Sequence, residues 1–93
     1  MLINNILKVY VLIAQYEVED FVPTSHILGV YKTLKSAKKA LTNQFNKEVS
    51  RTNALYKNAD VNVDHTNYTI SVSGNHFIEK RLKIEESKFF ETK

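Results

Sequence analysis

Apolar residues along this chain fall into three successive patterns: a solid run, a helical stripe and a clean alternation. The solid run is Leu7-Lys8-Val9-Tyr10-Val11-Leu12-Ile13-Ala14-Gln15-Tyr16, rich in β-branched and aromatic residues, and it predicts a strand over residues 7–18. Val9, Val11 and Ile13 fall on one face of that strand, and Tyr10, Leu12, Ala14 and Tyr16 on the other. Both faces are apolar, so a central strand covered on both sides is expected. The polar connection from Glu17 to Thr24 contains Pro23, which has no N–H for a ladder and belongs outside a central strand. Ser25-His26-Ile27-Leu28-Gly29-Val30-Tyr31 then predicts a second strand, antiparallel to the first across a short loop. Gly29 within it points to a bulge or to the close approach of another element.

The stripe comes next. Thr33 is placed to cap a helix through its hydroxyl. Leu34, Ala37, Leu41, Phe45 and Val49 recur at helical spacing, with Leu55 and Tyr56 extending the same arc. Lys35, Lys39, Asn46 and Lys57 lie opposite. A helix from about residue 34 to between 50 and 57 follows.

The alternation closes the chain. Asn58 to Asn67 is polar, with room for a short strand at Val61-Asn62-Val63. Tyr68, Ile70 and Val72 face a core while Thr69 and Ser71 face water. Gly74-Asn75 marks a turn, and Phe77 to Ile84 forms the returning strand. A two-residue turn would set Ile70 against Glu79 and Tyr68 against Arg81. A three-residue turn, Gly74-Asn75-His76, sets Val72 against Ile78 and Tyr68 against Leu82. Register must keep apolar faces together, so the longer turn is expected. The tail beyond Glu85 carries Phe89-Phe90, a candidate for docking back onto the domain or onto a neighbour. The expected architecture is α+β: one domain over 1–93, ββαββ, with an antiparallel four-stranded sheet and one long amphipathic helix on one face.

Composition sets the class of molecule. Hydrophobic residues are 43% and charged residues 25% of the chain, the balance of a globular domain rather than a disordered segment. Cysteine is absent, which excludes disulfides and thiolate metal sites and favours a reducing compartment, the cytoplasm of a bacterium or of an infected bacterial host. No run approaches the length of a membrane span, and Lys8 interrupts the apolar start before a signal sequence could form. The net charge is +3, but only two of the thirteen basic residues are Arg, whereas nucleic-acid readers favour its planar fork.

Chemical motifs fail on inspection. Asp60-Val61-Asn62-Val63-Asp64 resembles the opening of a calcium loop, but His65 stands where Gly is needed and Ser71 where Glu is needed. His26, His65 and His76 lie on different elements without metal-ligand spacing. Glu85 and Glu86 are neighbours on a strand and so point to opposite faces, a poor acid–base pair. Glycine occurs only at 29 and 74, which leaves no phosphate loop. Neither an enzyme, a cofactor nor a metal is expected. Tyr10, Tyr16, Tyr31 and Tyr68, with Lys8, Lys32, Lys80, Arg81 and Lys83 nearby, could form a base-stacking sheet. Strands are tyrosine-rich in any case, and sheet edges carry lysine against aggregation.

Lys8-Val9-Tyr10-Val11-Leu12, Ile27-Leu28-Gly29-Val30-Tyr31 and Ser36-Ala37-Lys38-Lys39-Ala40 together resemble a loose group of small bacterial and phage accessory proteins. Those open with a Lys-Val-Tyr-Val strand, continue with an Ile-x-Gly-Val strand and a helix around an Ala-x-x-Ala pair, and often close with a Glu-rich strand like Ile84-Glu85-Glu86. The resemblance implies a phage or mobile-element context and no site residues.

One helix covers one face of the sheet, so the other face still presents either Val9, Val11 and Ile13 or Tyr10, Leu12 and Ala14. Large exposed apolar patches mark interaction sites. We place the candidate partner-binding face at Tyr10, Leu12, Tyr16, Leu28 and Val30, occupied by a second copy of the chain or by another protein. The expected function is that of a non-enzymatic protein-binding domain, a phage or prophage accessory protein that modulates or inhibits a host defence protein. The alternative is a nucleic-acid-binding module using Lys and Tyr on the sheet.

Overall fold

The computed structural model describes the backbone of residues 4–57, 59–73 and 78–92, and side chains within 8–88 of those ranges. Its elements are β1 (Asn4–Val18), β2 (Thr24–Tyr31), α1 (Leu34–Leu55), β3 (Asp60–Asp64), β4 (Thr69–Ser73) and β5 (Ile78–Thr92). The strands form one antiparallel sheet in the order β2-β1-β5-β4-β3, and α1 packs on one face of it. The α+β class is as expected. The strand count is not: the sheet has five strands rather than four, in a ββαβββ order. The extra strand is the polar segment Asp60–Asp64, where Val61 and Val63 alternate with polar residues and pair with Val72 and Ile70 of β4. Five residues with two apolar positions make a weak pattern that only pairing turns into a strand.

β5 is the second departure. It runs on through the expected tail to Thr92, pairing with β1 from Val18↔Ile78 to Asn4↔Thr92. β2 reaches only as far as Tyr10↔Tyr31, so from Val9↔Ser87 outward β1 and β5 continue as a bare two-stranded arm. A strand of 15 residues is about 50 Å long, which accounts for the 64 Å long axis of the molecule. The side chains of Phe89 and Phe90, like the turn at Gly74-Asn75-His76, lie outside the described residues.

Where the turn's flanks are described, the register is the expected one. Val72 pairs with Ile78, Ile70 with Lys80, and the Leu82 N–H donates to the Tyr68 carbonyl at 3.0 Å. The bulge expected near Gly29 is also present. Leu12 pairs with Gly29 but Ile13 pairs with Ile27, leaving Leu28 as the extra residue of β2. The close approach at Gly29 is made within β2 itself, by the Tyr31 ring: a β-carbon on Gly29 would lie 2.7 Å from the Tyr31 hydroxyl oxygen.

Thr33 caps α1, its hydroxyl oxygen accepting from the Ser36 N–H at 3.1 Å. Ala37, Leu41 and Phe45 descend from the helix onto Leu12, Ala14, Ile70 and Leu82, all buried. Full burial of one such side chain contributes about 1.5–3 kcal/mol. The far end of the stripe differs from expectation. Leu55 is 67% exposed, and the buried line runs instead through Glu48 and Thr52. Both sit at core spacing from Phe45, and Lys80 of β5 rises beneath them. Its Nζ lies 3.5 Å from Glu48 Oε2 and 3.4 Å from Thr52 Oγ1. Gln44 donates to Glu48 Oε1 at 3.3 Å, and the Arg51 guanidinium lies 3.6 Å from the same atom. A buried carboxylate survives only when paired in this way. Burial, followed by the nearby Glu48 charge, raises the pKa of the adjoining Tyr16 phenol above its ordinary value.

The β3–β4 turn closes over Phe45. The Asp64 carboxylate accepts from the backbone N–H groups of Thr66 (2.9 Å) and Asn67 (3.1 Å) and from the Asn67 side-chain amide (2.9 Å). These bonds, the Asn67 backbone first, hold the Asp64 carboxyl below the usual carboxylate value. Tyr68 follows in the left-handed region at φ 52°, and the rings of Tyr68 and His65 both meet Phe45 edge-on, at 5.4 and 5.5 Å.

Candidate protein-interaction face

A strand residue belongs to the face opposite its neighbour's. Leu12 and Ala14 lie beneath α1, so Val9, Val11 and Ile13 are on the open face of the sheet. Register carries the assignment across the sheet. Val30 pairs with Val11 and Ile27 with Ile13, which puts both on the open face. Leu28, the unpaired bulge residue, lies between Ile27 and Gly29, and the bulge is what brings Ile27 and Val30 to the same face. Ile27 is 70%, Leu28 39% and Val30 59% exposed, and Val9, Val11 and Ile13 are half-buried beside them.

Among the described residues the remainder of the open face is polar. β5 presents Glu79, Arg81, Lys83 and Glu85 there, and β4 presents Thr69 and Ser71. Arg81 pairs with Glu79 at 3.4 Å and Lys83 with Glu85 at 2.8 Å. Glu86 turns to the other face, where it meets Lys8 at 3.0 Å, so the neighbouring glutamates do point apart. That contact, chiefly a hydrogen bond, raises the Lys8 pKa. A shallow cleft of about 170 Å³ at the β1–β2 loop end is lined by Gln15, Glu17, Thr24, Glu79 and Arg81 among others. The rest of its lining is Pro23 and Ser25, and among the described residues no buried side-chain polar atom is left without a hydrogen-bond partner. Among the described residues no group of three or more His, Asp or Glu side chains is placed to hold a metal ion.

The expected partner-binding residues divide between the two faces. Val30 lies exposed on the open face, and Leu28 is the exposed bulge residue beside it. Leu12 is 2% exposed in the core, and Tyr16 packs against that core. Tyr10 shares their side of β1 by alternation and is half-buried. The uncovered set is therefore Val9, Val11 and Ile13 with Ile27, Leu28 and Val30, because the helix covers the even positions of β1. Ile27 went unselected for a definite reason: strict alternation sets it opposite to Leu28, and only the bulge reverses that. The tyrosines available for base stacking are likewise on the helix side, with Tyr16, Tyr31 and Tyr68 packed against the core. Asp60–Asp64, the calcium-loop look-alike, is strand β3, and its last carboxylate is engaged in the turn.

No protein-family model matches the chain, and no curated protein or solved structure is significantly similar to it. Among the described residues no helix is long and apolar enough to cross a membrane.

Proposed function

We propose that this chain is a non-enzymatic protein-binding domain that works through the open apolar face of β1 and β2. The observation that carries this reading is the contiguous set Val9, Val11, Ile13, Ile27, Leu28 and Val30, left without a covering layer. Apolar surface of this kind is favourable to bury, at about 25 cal/mol per Å², and a soluble domain rarely leaves it bare without a partner. The sheet's free edges favour face docking over strand addition. β2 carries the bulge and is flanked by Pro23 and Lys32, while β3 ends in Asp60 and Asp64, all devices that discourage edge pairing.

Steric blocking needs a surface and no chemistry. The resemblance to small bacterial and phage accessory proteins is what favours a host protein as the target, in the cytoplasm of a bacterium or of its infected form. A photo-crosslinking residue at Val30 tests the reading in host cells. It should trap one defined protein, the same residue at Ser71 should not, and Ile27→Asp should abolish the adduct. Equal trapping at both positions, or none, would overturn it. Among the described residues the nucleic-acid reading has no aromatic platform on the open face, and Arg81 and Lys83 there are paired with carboxylates. It predicts salt-sensitive binding to a single-stranded oligonucleotide; no shift at low salt removes it.

A further inference from the structure

The open face is complementary to itself, and we infer that its first occupant is a second copy of this chain, packed face to face about a two-fold axis. This rests on the reading above and names the partner. An isologous interface must place each residue against one that suits it in both copies at once. The strand registers allow that condition to be examined. Consider an axis lying in the interface, perpendicular to the strands, at the level where Leu12 pairs with Gly29 and Ile84. It sets Val11 against Ile13 of the second copy, and Val30 against Ile27. On β5 it sets Glu85 against Lys83, and Lys83 against Glu85. The Lys83–Glu85 pair of each copy, 2.8 Å apart, then closes into an alternating ring of four charges beside an apolar centre.

Neighbouring registers fail on charge. Moving the axis one residue toward Val11 puts Glu85 on Glu85. Moving it one residue toward Ile13 puts Lys83 on Lys83. Like charges set opposite one another cost several kcal/mol at an interface, so one register is selected against its neighbours. The crossing angle of about 30° usual for packed sheets leaves these correspondences in place close to the axis. The same axis carries the β1–β5 arm of one copy, which no third strand flanks among the described residues, across the loop-end cleft by Gln15, Glu17 and Glu79 of the other. The outer surface of α1 cannot be the occupant. Lys35, Lys38, Lys39, Asn46 and Lys47 are exposed along it, with no apolar stripe to meet the patch.

Light scattering of the purified full chain, with charge variants, is the test. The parent should show the mass of a dimer at tens of micromolar. Lys83→Glu sets Glu against Glu in both copies and should weaken the dimer more than about tenfold. The swapped variant Lys83→Glu with Glu85→Lys rebuilds the ring and should restore it. Ile27→Asp should give a monomer. All these positions are at least partly exposed, and circular dichroism should show unchanged folding. A monomeric parent overturns the inference, while trapping at Val30 would leave the protein-binding reading standing. A dimer indifferent to Ile27→Asp and to the charge swap overturns it too, by placing the contact elsewhere, and there too trapping of another protein at Val30 decides the protein-binding reading.

Discussion

Leu12 and Val11 are neighbours on one strand, equally apolar, and meet opposite fates. Leu12 is buried beneath α1 with Ala14, Leu41 and Phe45, whereas Val11 lies on the open face beside Val30 and Ile27. The difference lies in what the chain itself covers, and it is the basis of the proposal that the other face of β1 takes a layer from outside. A central strand apolar on both faces is ordinary where two layers of helix exist. Among the described residues the chain supplies one helix. The covered side of the sheet should therefore dominate folding, and the open side should dominate association.

The largest effect is expected on the covered side. Phe45→Ala removes the ring on which α1, Tyr68 and His65 converge and should cost about 3–5 kcal/mol in urea unfolding. A loss under about 1 kcal/mol would mean that the helix does not hold the core as described. Next comes the polar end of the same interface. Lys80→Met leaves Glu48 buried with only Gln44 and the exposed Arg51 as partners. Full removal of a buried pair's partner costs about 3–5 kcal/mol. Arg51 and the partial exposure of Lys80 reduce the expected loss to about 1–3 kcal/mol. Glu48→Gln with Lys80→Met should recover part of it, because no buried charge is then stranded.

Acid tests the turn that closes over Phe45. The folded-state pKa of Asp64 is depressed, so its stabilising contribution is present above the usual carboxylate value of about 3.9 and lost as pH falls through the depressed one. Asp64→Ala should lower the melting temperature at pH 7 and flatten the fall in stability on acidification. An unchanged acid profile would show that the turn draws nothing from the carboxylate. The smallest stability effect belongs to the open face. Ile27→Asp and Val30→Asp, on side chains already more than half exposed, should shift unfolding by no more than about 0.5 kcal/mol per mutation in the monomer. A larger monomer loss would erase the contrast between the two sides of β1.

Much of the fold follows from local pattern. Alternation at Tyr68, Ile70 and Val72 and the stripe Ala37, Leu41, Phe45 each place their element and its inner face, and apolar matching alone selects the Val72↔Ile78 register. What local pattern leaves open depends on pairing. The short strand allowed at Val61-Asn62-Val63 becomes β3 by pairing with β4, and the tail beyond Glu85 becomes the outer arm of β5 by pairing with β1. Glu48 and Thr52 sit at core spacing from Phe45 but are polar, and so pass for surface. The signal that could have exposed them lies in β5: the favoured register sets Lys80 beside Ile70 on the inner face, where a lysine needs a carboxylate from the helix above. On the open face, Val30 follows from alternation within β2 and Ile27 does not, because the bulge that moves Ile27 is a property of the β1–β2 pair. The choice of covered face is hidden for the same reason, since Leu12 and Val11 look alike until α1 chooses between them.

Cysteine is absent from the chain, so single-cysteine variants report on one position each. The most direct measurement compares thiol-labelling rates of Val30→Cys and Ser71→Cys as protein concentration rises from submicromolar to about a hundred micromolar, a range typical of modest protein–protein affinities. Labelling at Val30→Cys should slow as the apolar half of the open face is covered, while labelling at Ser71→Cys on the polar half should stay constant. Rates that remain constant at both positions, or slow equally, would contradict a second copy of the chain as the outside layer on β1.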